Sequence, residues 1–116
     1  LNGAAMYHVP TGNCLKRYRL SETAAEAVMR ATEGDPVTYE AFIDGVAYAG
    51  KDFLHDPVSY GVTPQAVEYV RTTRQGVDDI VRFIHENKHR LDSMDMVVRN
   101  EAIQRNVWEK IQKASD

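Results

Sequence analysis

The residues best suited to chemistry are His85 and His89, which lie four positions apart in the segment HENKH. Histidines at this spacing fall on one face of an α-helix, where both imidazoles can bind the same zinc ion. Glu86 lies between them, in the position of a general base that activates a zinc-bound water. The types and the spacing of these residues therefore predict zinc-dependent hydrolysis as one kind of chemistry.

A second short segment, NEAI at 100–103, resembles the third-ligand segment of thermolysin-like zinc proteases. The resemblance covers only these two segments, and it implies His85, His89 and Glu101 as metal ligands. A rotation of about 100° per residue places Glu86 outside the apolar stripe of its helix, whereas a catalytic zinc needs a dry cavity. We therefore rank a zinc hydrolase third among the functions and expect no metal or cofactor.

The segment GVTPQAV, residues 61–67, resembles the turn and the start of the recognition helix in helix-turn-helix proteins. The resemblance implies three residues that face base edges and two arginines that suit phosphates, namely Thr63, Gln65, Tyr69, Arg71 and Arg74. Pro57 falls inside the preceding helix that this motif requires, and a proline there removes a hydrogen bond. DNA binding through residues 53–75 is therefore the alternative function.

Both motifs depend on helix formation between Pro64 and Leu91. Thr63 is expected to cap this helix and Pro64 to occupy its first position. An apolar stripe at helical spacing follows, formed by Val67, Val70, Val77, Ile80, Val81, Ile84 and Leu91. Gly76 weakens the helix, and Asp78 and Asp79 suit a new first turn. One bent helix and two shorter helices both remain open.

Three further helices are expected on either side of this stretch. The first begins at the capping box of Thr23 and Glu26 and ends at Gly34. The second begins at Thr38 and extends toward Leu54, and the third runs from Met94 to about Lys113 after a cap at Asp92 or Ser93. Near the start of the chain, the runs Met6 to Val9 and Leu15 to Leu20 flank a Pro-Thr-Gly-Asn turn and predict a β-hairpin.

The composition fits one globular domain. The chain has 116 residues, of which 43% are hydrophobic and 27% charged, and the net charge of −3 opposes a strongly phosphate-driven nucleic-acid binder. Cys14 is the only cysteine, so no disulfide forms within the chain. No apolar run approaches the roughly 18 residues of a membrane span.

We therefore predict a mainly α single domain over residues 6–116, a bundle of four to five helices with a short N-terminal β-hairpin, preceded by a linker at residues 1–5. The expected core consists of apolar residues from these helices: Phe42, Ile43, Val46, Val67, Val70, Val77, Ile80, Ile84, Ile103, Val107 and Ile111.

The function expected from this architecture is non-enzymatic. We predict a protein–protein interaction or regulatory domain that binds a protein partner or associates with itself, in the cytoplasm and without a membrane. Nucleic acid is the alternative partner.

Overall fold

The computed structural model describes residues 13–18 and 22–114 of the chain, which form strands β1–β5 and helices α1–α5. In chain order these are β1 (Asn13–Tyr18), α1 (Glu22–Ala31), β2 (Val37–Ile43), β3 (Val46–Gly50), α2 (Lys51–His55), α3 (Val67–Thr73), β4 (Arg74–Val77), α4 (Ile80–Asn87), β5 (Ser93–Val98) and α5 (Glu101–Ala114). Short 3₁₀ helices lie at Pro57–Tyr60, Pro64–Ala66 and Lys88–Arg90. Among these described helices, none is long and apolar enough to cross a bilayer.

The described strands form one mixed sheet in the order β1-β5-β2-β3-β4. All neighbouring strands are antiparallel except β3 and β4, which are parallel. The chain is thus a mixed α/β fold, and the prediction of a mainly α bundle is wrong. The second strand of the predicted hairpin corresponds to β1, which pairs with β5 in the structure. Residues 1–5 and the predicted strand from Met6 to Val9 lie outside the described residues.

The helix predicted from Thr38 is instead the hairpin of β2 and β3. Asp44 and Gly45 connect the strands with φ angles of 49° and 78°. Positive φ at both central residues matches a type I′ turn, whose twist fits two antiparallel strands. Side chains alternate across β2, so Tyr39 faces one side of the sheet while Glu40 faces the other.

The stretch from Pro64 to Leu91, predicted as one or two helices, contains the two helices α3 and α4 with strand β4 between them. A 3₁₀ turn leads from Pro64 into α3, β4 follows, and α4 begins after Asp79. Asp79 caps α4, because its carboxylate accepts a hydrogen bond from the Arg82 amide at 3.1 Å. The last helix begins seven residues later than predicted, after Asn100, whose side chain accepts from the Ile103 amide at 3.0 Å. Residues 93–98 are the buried strand β5.

The sheet buries apolar side chains on both faces. Helices α1, α4 and α5 cover the first face, which carries Tyr39, Ala41 and Met96. The short helices between β3 and β4 cover the second face through Phe53, Val62, Ala66 and Val70. Of the predicted core residues, Ile43, Val70, Ile80, Ile84, Val107 and Ile111 are buried, as expected. Phe42, Val67, Val77 and Ile103 are only partly buried, and Val46 is exposed.

Candidate functional site

A cleft of about 370 Å³ opens on the first face of the sheet, between α1, α4 and the start of β2. We call it the α1–α4 cleft. Four residues with apolar surface line it, namely Met29, Val37, Tyr39 and Val81. The remaining lining residues are Glu26, Arg30, Thr32, Glu33, Gly34, Asp35 and His85. Gly34 has a φ of 84° and ends the α1 segment in the left-handed conformation that favours glycine, so the chain can turn from α1 into β2 here.

A hydroxyl pair lies at the base of the cleft. The Thr32 hydroxyl donates to the Val28 carbonyl at 2.9 Å and lies 2.5 Å from the Tyr39 hydroxyl. Either hydroxyl can donate in the second bond. Burial raises the pKa of Tyr39, and the negative charges of Asp35 and Glu33 raise it further, against the opposing effect of the Thr32 hydrogen bond. The phenol therefore stays neutral at physiological pH.

Two ion pairs connect the rim of the cleft to neighbouring elements. Lys88 forms a hydrogen-bonded ion pair with Glu26, and this contact lowers the pKa of that carboxyl. Lys110 of α5 donates to both oxygens of Asp35, at 2.8 and 2.9 Å. Glu33, by contrast, is exposed and has no ion-pair partner within the described residues. The two ion pairs therefore hold the walls of the cleft in place.

A buried ion pair lies on the second face of the sheet. Arg74 of β4 donates to both carboxylate oxygens of Glu40, at 2.8 and 3.1 Å, and the two side chains are 9% and 4% exposed. The Arg74 side chain reaches across β3 to Glu40, and the small side chains of Ala47 and Ala49 leave room for it. Burial disfavours the guanidinium charge, but the hydrogen bonds and electrostatic interactions with Glu40, and then with Tyr69, together outweigh this effect and raise the pKa of Arg74. This pair is enclosed, so we assign it to the fold.

The residues implied by the helix-turn-helix resemblance do not share one exposed face. Thr63, Gln65 and Tyr69 are exposed. Arg71, however, donates to the backbone carbonyls of Leu54 and His55, and Arg74 is bound to Glu40 beneath the Tyr69 ring. Both arginines that would suit phosphates are thus engaged within the protein. DNA binding stays a prediction.

The residues implied by the zinc-protease resemblance are spread over three elements. His85 lies on α4, His89 lies in the 3₁₀ helix that follows, and Glu101 is the first residue of α5. Glu86 forms an ion pair with Arg82 on the exposed surface of α4. In the described part of the chain, no group of three or more histidine, cysteine, aspartate or glutamate residues is placed to hold a metal ion. The three implied ligands are therefore not brought together.

Sequence reasoning missed Tyr39 as a site residue because it predicted a helix where the β2–β3 hairpin lies. The Asp44-Gly45 pair, flanked by alternating side chains, was the signal that could have located β2 and therefore Tyr39. Comparison with protein-family models, curated proteins and solved structures found no match. The function is therefore argued from the geometry of the α1–α4 cleft.

Proposed function

We propose that this chain is a non-enzymatic protein-interaction domain that receives part of a protein partner in the α1–α4 cleft. The observation that carries the proposal is the cleft itself. Its volume of about 370 Å³ lies in the range of roughly 300–1,000 Å³ typical of ligand pockets. Its buried lining includes Met29 and the Tyr39 ring, and its exposed lining includes charged residues such as Arg30 and Glu33. Protein interfaces likewise bury an apolar centre inside a polar border.

The contacts around the cleft favour binding. The ion pairs of Lys88 with Glu26 and of Lys110 with Asp35 hold its walls, and a preformed site loses less conformational entropy when a partner binds. Val81 places an apolar side chain on the rim, where it is 40% exposed. The hydroxyl chain from Tyr39 through Thr32 ends on a backbone carbonyl, which cannot serve as the general base of an activated nucleophile.

The test compares two exposed valines. Val81 lines the cleft, whereas Val58 is similarly exposed but lies in the 3₁₀ helix Pro57–Tyr60, away from the cleft. Peptides are selected from a phage-displayed random library on the immobilised domain, and their affinity is measured by fluorescence polarisation. We expect Val81→Arg to weaken binding by about tenfold or more, a loss of about 1.4 kcal/mol, because the larger side chain fills the cleft. Val58→Arg should bind like the wild type.

Two results would contradict the proposal. Selection could yield no peptide, or the selected peptides could bind Val81→Arg as tightly as Val58→Arg. Circular dichroism of both variants checks that each remains folded. Self-association stays a separate prediction that light scattering measures.

A further inference from the structure

A second pocket, of about 270 Å³, lies where strands β3 and β4 end. We call it the strand-end pocket, and its lining includes Thr38, Asp52, Tyr60, Asp78 and Asp79. Because β3 and β4 are parallel, their carboxyl ends meet at one edge of the sheet, where β3 leads into α2 and β4 leads toward α4. In open α/β sheets, ligands bind in the crevice outside the carboxyl ends of the strands. The pocket therefore lies where this kind of sheet offers a binding site.

The hydroxyl of Thr38 is the feature that points to a ligand. Thr38 lines the strand-end pocket from β2 and is only 8% exposed. Within the described part of the chain, its side chain takes part in no hydrogen bond. Buried hydroxyl groups rarely lack a partner, so a group bound in the pocket would satisfy this one.

The charge of the pocket lining is negative. Asp79 accepts the Arg82 amide as the cap of α4, and Asp78 pairs with Lys51 at 3.0 Å. The side chains of Lys51 and Asp78 are 65% and 90% exposed, and ion pairs as exposed as this one are weak. The carboxylate of Asp52 has no partner among the described residues. A cleft lined by one sign of charge concentrates ligands of the opposite sign.

The placement of these aspartates favours an organic cation over a metal ion. In the part of the chain that the structure describes, no three acidic, histidine or cysteine residues are grouped to hold a metal. A guanidinium instead spreads five N–H donors over a plane, so it can reach a hydroxyl and a carboxylate at separate points. Tyr60 also lines the pocket, and guanidinium groups pack well on aromatic rings.

We propose that the strand-end pocket binds a guanidinium group. The Thr38 hydroxyl accepts one of its N–H groups, and Asp52 supplies the opposite charge. This pocket shares no lining residue with the α1–α4 cleft, so the inference does not depend on the proposed function.

The test compares butylguanidinium with N-butylurea, which has nearly the same shape but no charge. Each is titrated into the ¹⁵N-labelled domain, and amide chemical shifts are followed. We expect saturable shifts at Gly50, Asp52 and Ile80 with butylguanidinium only. Thr38→Val keeps the shape of the side chain and removes the hydroxyl, so it should weaken binding by about fivefold, as expected for one hydrogen bond. Asp52→Asn should weaken binding by about two- to fivefold, as expected for one exposed ion pair.

Two kinds of control accompany these variants. Asp44→Asn, in the β2–β3 turn, and Glu109→Gln, on α5, each remove an exposed carboxylate outside the pocket and should bind like the wild type. Thr38→Val should also leave the urea midpoint of unfolding unchanged or higher, because its hydroxyl has no partner to lose.

Three results would overturn the inference. N-butylurea could bind as tightly as butylguanidinium, or Thr38→Val and Asp52→Asn could bind like the two controls. A lower urea midpoint for Thr38→Val would show that the hydroxyl already has a partner within the protein. If butylguanidinium binds as expected, agmatine and N-acetyl-arginine methylamide distinguish a free small cation from a protein side chain, and the one that binds more tightly identifies the source.

Discussion

The buried ion pair of Arg74 and Glu40 makes a strong prediction about stability. Arg74→Met leaves the Glu40 carboxylate on the second face of the sheet, where only 4% of its side chain is exposed. It also removes the two hydrogen bonds to Glu40, of 2.8 and 3.1 Å, and a third to the Thr73 hydroxyl at 2.8 Å. Breaking a buried pair by removing one partner typically costs about 3–5 kcal/mol, because the remaining charge has no compensation.

The assay is urea denaturation followed by circular dichroism, arranged as a double-mutant cycle. We expect Arg74→Met to lower the free energy of unfolding by about 3 kcal/mol or more. The double variant Glu40→Leu/Arg74→Met should recover most of this loss, because an apolar pair of similar volume needs no countercharge. Arg71→Met is the matched control. Its arginine is exposed and donates to two backbone carbonyls, so its loss should cost about 1 kcal/mol.

Either of two results would refute this reasoning. A loss for Arg74→Met no larger than that for Arg71→Met would show that the buried pair does not hold β4 to the sheet. A double variant as unstable as Arg74→Met alone would show that the loss comes from packing rather than from an uncompensated charge. A coupling energy near zero between Glu40 and Arg74 in the double-mutant cycle would also show that the loss does not come from an uncompensated charge.

Two further predictions concern a glycine and a rim carboxylate. Gly61→Ala should destabilise the fold more than Gly34→Ala, by about 1 kcal/mol or more. Both glycines have positive φ, but only at Gly61 would a Cβ meet backbone atoms, namely those of Arg99 and Val98 at 3.0–3.1 Å. If urea denaturation showed equal losses of stability for the two variants, it would contradict this close approach. Wild type should be more stable than Glu26→Gln at neutral pH, and this difference should fade as pH falls below 4.5 and through the lowered pKa of Glu26. Thermal melts across this pH range test the trend, with Glu109→Gln as the control, and a difference that is independent of pH would contradict it.

The hairpin shows why part of the fold escaped prediction. Tyr39, Phe42, Ile43 and Val46 match helical spacing, while Tyr39, Ala41 and Ile43 match the alternation of a strand. Periodicity alone could not decide between the two over so short a run. The pairing of β2 with β5, which lies more than fifty residues later, decides it in the structure. Turn chemistry at Asp44 and Gly45 was the local evidence, and it agrees with the strand pattern.

The central strand β5 was missed for a different reason. A strand with neighbours on both sides and helices on both faces has buried residues in succession, and Met94 to Val98 are all buried. Such a run reads equally well as the start of a buried helix. By contrast, two local signals agree with the structure, namely the turn at Gly34 and the new helix after Asp79. The α1–α4 cleft could not be found in this way, since it joins residues from Glu26 to His85 across three elements.

The two-residue turn Asp44-Gly45 determines the positions of both Tyr39, in the cleft, and Glu40, in the buried ion pair. The register set by Asp44 and Gly45 places Tyr39 on the first face and Glu40 on the second. Because side chains alternate along a strand, a shift of one residue would move Glu40 into the apolar core and take Tyr39 away from Thr32. The shift would leave Arg74 without its carboxylate and the cleft without the Tyr39 hydroxyl. The buried ion pair therefore opposes any register in which the cleft is lost, so the second face stabilises the geometry that the proposed binding site on the first face requires.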